Sequence, residues 1–243
     1  MTSDHQRVAR CDELSASLSH VHERIAAACR AAGRSRDEVA LIVVTKFFPG
    51  SDVELLSELG VTDIGENRDQ EASAKVAALP AEVRQRLQVH FIGQLQSNKA
   101  ASLASYADTV HSVDREKLVR ALDRAAGSAG RDLGALVQVS LSGDSAGGGR
   151  GGIPVDGAAG LAAAVAAAAH LTLRGVMAVA PLGVDPAAAF EELAAVAREV
   201  RSAHPAATWI SAGMSADLEA AVANGATHLR VGSAILGSRP PLG

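Results

Sequence analysis

Lys46 stands directly after the apolar run LIVVT, where a lysine could act as a nucleophilic amine. Partial desolvation lowers a lysine's pKa and lets the amine condense with an aldehyde as a Schiff base. The other three lysines, Lys75, Lys99 and Lys117, fall in stretches of helical pattern, where a solvated charge is the simplest account. Position alone leaves Lys46 a second account, a side chain snorkelling from an apolar edge.

The far end of the chain adds two Ser/Gly turns. SAGMSADLEAAV (Ser211–Val222) places a glycine turn before a helix that Ser215 would cap, and HLRVGSAILG (His228–Gly237) places Ser233 at the start of another helical segment. Backbone N–H groups and hydroxyls in such turns suit a phosphate, although ordinary capping would also explain them. With Lys46 they describe a phosphorylated aldehyde held at both ends. Arg230 lies inside the apolar stretch LRVG, where an unpaired charge is costly. Donation to the pyridine nitrogen of pyridoxal 5'-phosphate (PLP) would account for it. The competing account is an outward-facing strand residue paired with a carboxylate.

These residues need elements to place them. Eight short apolar runs alternate with helical stretches: Leu41–Thr45, Val61–Ile64, Gln88–Ile92, Thr109–Val113, Ala135–Val139, Thr172–Ala178, Thr208–Ser211 and His228–Val231. Such alternation implies parallel strands joined by crossovers, and eight units close into a (β/α)₈ TIM-type barrel. The clearest helices are Asp114–Ala126, Gly157–Ala169 and Pro186–Ala203, with an extra N-terminal helix from Asp12 to Ala32 that stops at Gly33. A doubly wound sheet would carry a glycine-rich fingerprint after its first strand, and VVTKFFPG is none. In a barrel, Lys46 falls at the C-terminal end of strand one and the Ser/Gly turns at the loops after strands seven and eight, the usual phosphate position.

The 243 residues fit one such barrel as a single domain. Apolar residues make up 48% and aromatics 2%, so the layered interior is expected to be Ala, Val, Leu and Ile. Net charge is −4 without a basic stripe, which argues against nucleic acid. Cys11 and Cys29 form neither a metal spacing nor a disulfide framework. The polar start MTSDHQRVARCDEL has no signal-peptide core, and Leu161–Ala169 is too short to span a membrane, so the expected setting is the cytoplasm. GDSAGGGRGG (Gly143–Gly152) matches neither phosphate-loop pattern and reads as a loop after strand five.

Five motifs, in order, resemble those of the pyridoxal phosphate homeostasis protein family: VVTKFFP, GENRDQE, HFIGQLQSNK, ISAGMS and LRVGSAILG. The resemblance implies a fold type III PLP barrel like the N-terminal domain of alanine racemase. It makes Lys46 the Schiff-base residue and turns Asn67 toward the cofactor. It places Ser211, Gly213, Ser215, Gly232 and Ser233 around the phosphate and Arg230 at the ring nitrogen. The sequence departs from the family at Arg68, where tyrosine is common, and at Arg150, where lysine is.

The family implies a carrier that stores or delivers PLP, with transient contacts to PLP-dependent apoenzymes and no catalytic or metal residues of its own. The alternative is an amino-acid racemase using the same Lys46 Schiff base, which needs acid/base groups on both faces of the substrate. Tyr106, His90 and His111 are the conceivable second groups. The absence of the racemase's second domain favours the carrier and, with barrel size, a monomer. Lys99, in LQSNK, is either a second transient PLP site or a solvated helix lysine.

Overall fold

The computed structural model describes residues 2–141 and 151–238. The strands are β1 (Ala40–Val44), β2 (Asp63–Glu66), β3 (Gln88–Phe91), β4 (Thr109–Val113), β5 (Leu133–Ser140), β6 (Leu171–Met177), β7 (Trp209–Ser211) and β8 (His228–Val231). All pair in parallel, in the order β4-β3-β2-β1-β8-β7-β6-β5, and β4 also pairs with β5. The sheet therefore closes, and the expected (β/α)₈ barrel is the fold. Ile153–Pro154 adds a two-residue strand beside the end of β5. Most of the glycine-rich segment, including Arg150, lies outside the described residues.

Helix α1 (Thr2–Ala31) begins well before Asp12, the start expected from the sequence. Its buried stripe is Leu14, Leu18, Val21, Ile25 and Ala28, the 4-3-4-3 spacing of one helix face. Two further helices matter for the site, α2 (Gly50–Glu58) after β1 and α3 (Asp69–Ala78) after β2. The helix Pro186–Ala203 has its expected bounds. Asp185 caps it by accepting from the Ala187 N–H, and Pro186 fills the first turn, where no N–H is needed. Among the described residues no helix is long and apolar enough to cross a membrane.

The interior of the barrel departs from the aliphatic layering expected. Strand side chains alternate between faces. Val43 lies opposite Ile64 and Val231, and all three belong to the apolar cluster shared with the helices. The alternate row sets Ile42 opposite Arg230 and Ala40 opposite His228, so both polar residues point inward. His90, His111 and Ser211 are buried on the same inner side, each flanked in sequence by cluster members such as Val89, Phe91, Val110 and Ile210. The apolar core lies between sheet and helices, and the inside of the barrel is substantially polar.

His228 stacks on Trp209 with ring centroids 3.9 Å apart and planes 31° apart. Burial, then the neighbouring His90, pushes its pKa down to about 4, against an opposing pull from Asp63. His111 is lowered well below the usual range, first by burial. A histidine held neutral in the fold but titrating near 6.5 when unfolded gains protons on unfolding. Its contribution is present above about pH 6.5 and is lost as the pH falls toward about 4. The expected outcome is a stability loss of roughly 2 kcal/mol from His228 alone between pH 7 and pH 5. Urea unfolding at the two pH values measures it, and His228→Asn should flatten the dependence.

Candidate functional site

Lys46 follows β1 on a turn closed by Phe48 N–H donating to the Thr45 carbonyl at 3.1 Å. The next residue, Phe47, has φ of +70°, the one positive φ on a residue other than glycine among the described residues. A bulky side chain in that region costs of order 1–2 kcal/mol and persists only where the surroundings enforce it. Here they do. The Phe47 N–H donates to Glu71 Oε1 at 2.6 Å, from the first turn of α3.

The enforcing group is a second lysine. Lys75 Nζ, on α3, donates to the Thr45 carbonyl at 2.8 Å, to Glu66 Oε1 at 2.7 Å and to Glu71 Oε1 at 3.2 Å. Thr45 Oγ1 also donates to Glu66 Oε1, at 2.6 Å. Lys75 is thus a buried cation gripping the peptide just before Lys46, and not the solvated helix lysine that its pattern suggests. Burial raises the Glu66 carboxyl, with Lys75 and Thr45 opposing. Glu66 Oε2 has no hydrogen-bond partner among the described residues. Sequence reasoning missed this pair, and its one signal is the Glu71–Lys75 spacing of four.

Lys46 itself is half-buried and makes no ion pair or hydrogen bond among the described residues. Its Nζ lies 5.8 Å from the Phe47 ring centroid, and the Arg68 guanidinium sits 5.1 Å from the same ring. Of the two lysines at the head of β1, one is locked and the other is available.

Across the barrel mouth, β7 leads into Gly213 at φ +89°. A Cβ there would lie 2.6 Å from Ala221 Cβ and 2.8 Å from Leu229 Cδ2, so only glycine fits. The following helix begins at Leu218 with Asp217 at the cap position, and Asp217 Oδ1 accepts from the Met214 N–H at 2.6 Å. Ser215 is therefore not the cap that the sequence suggested, and its hydroxyl is released from that task. Ser233 opens the short segment Ser233–Leu236 as expected, and its Oγ donates to Ser215 Oγ at 3.4 Å. A Cβ on Gly232 would come within 3.1 Å of the Val44 carbonyl. The serine turn after β8 thus sits against the strand that ends at Lys46. Helix α1 braces this side, Arg24 donating to the Ser215 carbonyl at 3.1 Å and Arg10 to the Leu236 carbonyl at 3.1 Å.

Arg230 is 4% exposed, and among the described residues its guanidinium forms no ion pair with a carboxylate, which removes the outward-facing account. Nη1 donates to Ser211 Oγ at 2.6 Å and Nη2 to the Ala178 carbonyl at 2.9 Å. Burial lowers its pKa to about 10, with Asp217 opposing, so it stays a cation at neutral pH. Ser211 Oγ also lies 2.9 Å from His111 Nδ1. Its fully buried hydroxyl is therefore committed below Arg230, apart from the Ser215–Ser233 pair with which the resemblance grouped it.

Asn67 follows β2 and lines an open cleft of about 640 Å³ with Arg68, Gln94, Gln96 and Lys99. Lys46, Ser215 and Arg230 are not in its walls. Lys99 ends a 3₁₀ turn (Ser97–Lys99) rather than lying within an α-helix, half-exposed, with Nζ 4.0 Å from Asp69.

The family model for the alanine racemase N-terminal domain matches residues 16–240. A relative named pyridoxal phosphate homeostasis protein, from Mycobacterium tuberculosis, is 44% identical over 243 residues, covering 95% of this chain and 94% of that protein. The chain belongs to the pyridoxal phosphate homeostasis protein family. PipY of Synechococcus elongatus, solved with PLP bound, is 32% identical with a TM-score of 0.78, covering 92% of this chain and all of PipY. Alanine racemase of Clostridium difficile, at 14% identity and a TM-score of 0.69, shares the fold; the match covers 95% of this chain and 60% of the racemase.

The two lysines should separate in stability. Lys75→Ala leaves Glu66 buried and unpaired, which costs roughly 3–5 kcal/mol. Lys46→Ala removes a side chain without such partners and should stay within about 1 kcal/mol of wild type. Urea denaturation of both variants without ligand measures the contrast, and equal losses would contradict it.

Proposed function

We propose that this protein binds PLP as a Schiff base on Lys46 and serves as a carrier that stores and delivers the cofactor, rather than as a conventional PLP enzyme. The observation that carries the reading is the pair of lysines at the head of β1. Lys75 holds the backbone rigid, and Lys46 presents an amine with no ion pair. When bound, PLP would supply the aldehyde with which the Lys46 amine would condense, with loss of water.

The residues fit the group. Ser215 and Ser233 bring two hydroxyls together, on turns that Gly213 and Gly232 let pack closely against Ala221, Leu229 and Val44. Arg230, a buried cation without an ion-pair partner among the described residues, would serve as the donor for the ring nitrogen. A ring nitrogen that faces an obligatory donor would stay unprotonated, which weakens the ring as an electron sink and is compatible with a carrier and with a racemase alike. In this reading Ser211 supports Arg230, Ser215 and Ser233 take the phosphate, and Asn67 stands on the cofactor's side of β2.

The groups conceivable as a racemase's second acid/base support the carrier. The buried Tyr106 hydroxyl donates to Asp69 Oδ1 at 3.3 Å, and burial, then Asp69, raises its pKa. His90 and His111 are hydrogen-bonded to each other inside the barrel. Delivery implies transient contact with PLP-dependent apoenzymes, by a monomer in the cytoplasm.

Borohydride reduction of the PLP-loaded protein followed by peptide mapping should place the label on Lys46, and Lys46→Ala should lose both the label and the Schiff-base absorbance band. A label that persists on the same peptide in that variant sinks the assignment. Hydrogen bonds to a charged group contribute about 1.5–3 kcal/mol each. Ser215→Ala with Ser233→Ala should therefore weaken PLP binding on the order of 100-fold, and Arg230→Gln by about 10-fold. A larger loss at Arg230 would mean that the anchor lies there. Exchange of amino-acid α-protons by the loaded protein would favour the racemase.

A further inference from the structure

Four buried groups and the half-buried Asp63 form an unbroken hydrogen-bonded line through the barrel. Asp63 Oδ1 lies 2.9 Å from His90 Nε2, His90 Nδ1 lies 2.9 Å from His111 Nε2, and His111 Nδ1 lies 2.9 Å from Ser211 Oγ. Ser211 Oγ accepts from Arg230 Nη1 at 2.6 Å. The line crosses from β2 through β3 and β4 to β7 and β8. Its acidic end, Asp63, opens on a cavity of about 240 Å³ at the N-terminal end of the strands, lined also by His22 and Arg36.

With both rings neutral, one placement of protons satisfies every link. A guanidinium donates and never accepts, so Ser211 accepts from Arg230, and among the described residues His111 Nδ1 is the acceptor within reach of the Ser211 hydroxyl proton. His111 then carries its proton on Nε2 and donates to His90 Nδ1. His90 in turn carries its proton on Nε2 and donates to Asp63. A carboxylate only accepts, so counting from the Asp63 end gives the same answer. An extra proton on either ring would leave the Ser211 hydroxyl without an acceptor or set two N–H groups face to face. The electrostatics agree. Burial, then His90 and Arg230, holds His111 neutral. Burial pushes Asp63 up, but hydrogen bonds from His90 and from Thr62 Oγ1 at 2.6 Å outweigh it and leave the carboxyl lowered. His228, the remaining imidazole in this layer, is engaged with Thr227 Oγ1 at 2.8 Å and stands outside the line.

We propose that Asp63, His90, His111 and Ser211 are positioning residues for Arg230, forming a one-directional hydrogen-bond relay that fixes its guanidinium as the donor to the cofactor's ring nitrogen. Without Ser211 Oγ, the Arg230 guanidinium keeps the Ala178 carbonyl as its one hydrogen-bond anchor among the described residues and can rotate about it. The proposal rests on the PLP reading for what Arg230 meets, while the relay itself is a property of the protein without ligand.

Two measurements test it. Long-range ¹H–¹⁵N NMR of the histidine side chains, on wild type without PLP at neutral pH, should show His90 and His111 both neutral with the proton on Nε2. Asp63→Asn, which keeps an acceptor oxygen, should preserve that pattern, and Asp63→Ala should disturb the signals of both rings. A proton on His111 Nδ1, an imidazolium at either position, or an Asp63→Ala variant with an unchanged His111 overturns the relay. The second measurement is a double-mutant cycle on PLP affinity. Ser211→Ala should weaken binding several-fold, Ser211→Thr should recover most of it, and Ser211→Ala in an Arg230→Gln background should add nothing further. Additive losses would mean that Ser211 does not act through Arg230. Absence of PLP binding by wild type would overturn the cofactor reading, and with it the assigned target of Arg230, while the NMR result would still decide the relay.

Discussion

The parallel pairing of β1 with β8 is the constraint on which the site depends. It joins segments that lie almost at opposite ends of the chain, with Ile42 opposite Arg230 and Val43 opposite Val231. Strand parity does the rest. Once Ile42 faces inward, so does Arg230, and a slip of one residue would turn the arginine into the aliphatic layer under the helices. The same pairing seats Gly232 against the Val44 carbonyl. Lysine, serine turn and arginine become neighbours because the barrel closes at this seam.

Closure alone would leave Lys46 on a loose turn. The rigidity comes from the Lys75 ammonium, which draws the Thr45 carbonyl, Glu66 and Glu71 onto one point. Taking these charges out of water is costly, and the geometry repays it only because each oxygen that the ammonium meets is a strong acceptor. The strained Phe47 turn is one visible consequence. A lysine whose own backbone is held this firmly can present its amine without needing a partner for it. Ion pairs thus fix the turn that carries Lys46, while hydrogen bonds through His90 and His111 lead to Ser211, which accepts from Arg230.

Much of this was legible along the chain. The eight runs alternating with helical stretches named the fold, and Thr109–Val113, His228–Val231 and Pro186–Ala203 have their expected bounds. Lys46, Arg230, Ser233 and the Ser/Gly turns were marked by residue type and by position at strand ends. Short helices such as Gly50–Glu58 and Ala81–Arg86 are not legible in the sequence, since six to nine residues hold too few turns to establish a period. For the same reason the cap before Leu218 went to Ser215 instead of Asp217.

What the sequence determined by itself is the order of elements and the chemistry available at their ends, because both are written in local alternation and residue type. Tertiary structure decided which polar groups meet. Lys75 reads as a surface lysine until α3 folds back over β1, and His90 and His111 read as ordinary strand residues until closure sets β3, β4 and β7 around one interior. Ser211 parts from Ser215 for the same reason, its hydroxyl being taken by partners that lie 19 and 100 residues away. Hydrogen bonds and ion pairs of that kind depend on distances in space, and no spacing along a chain records a distance that exists only after the barrel has closed.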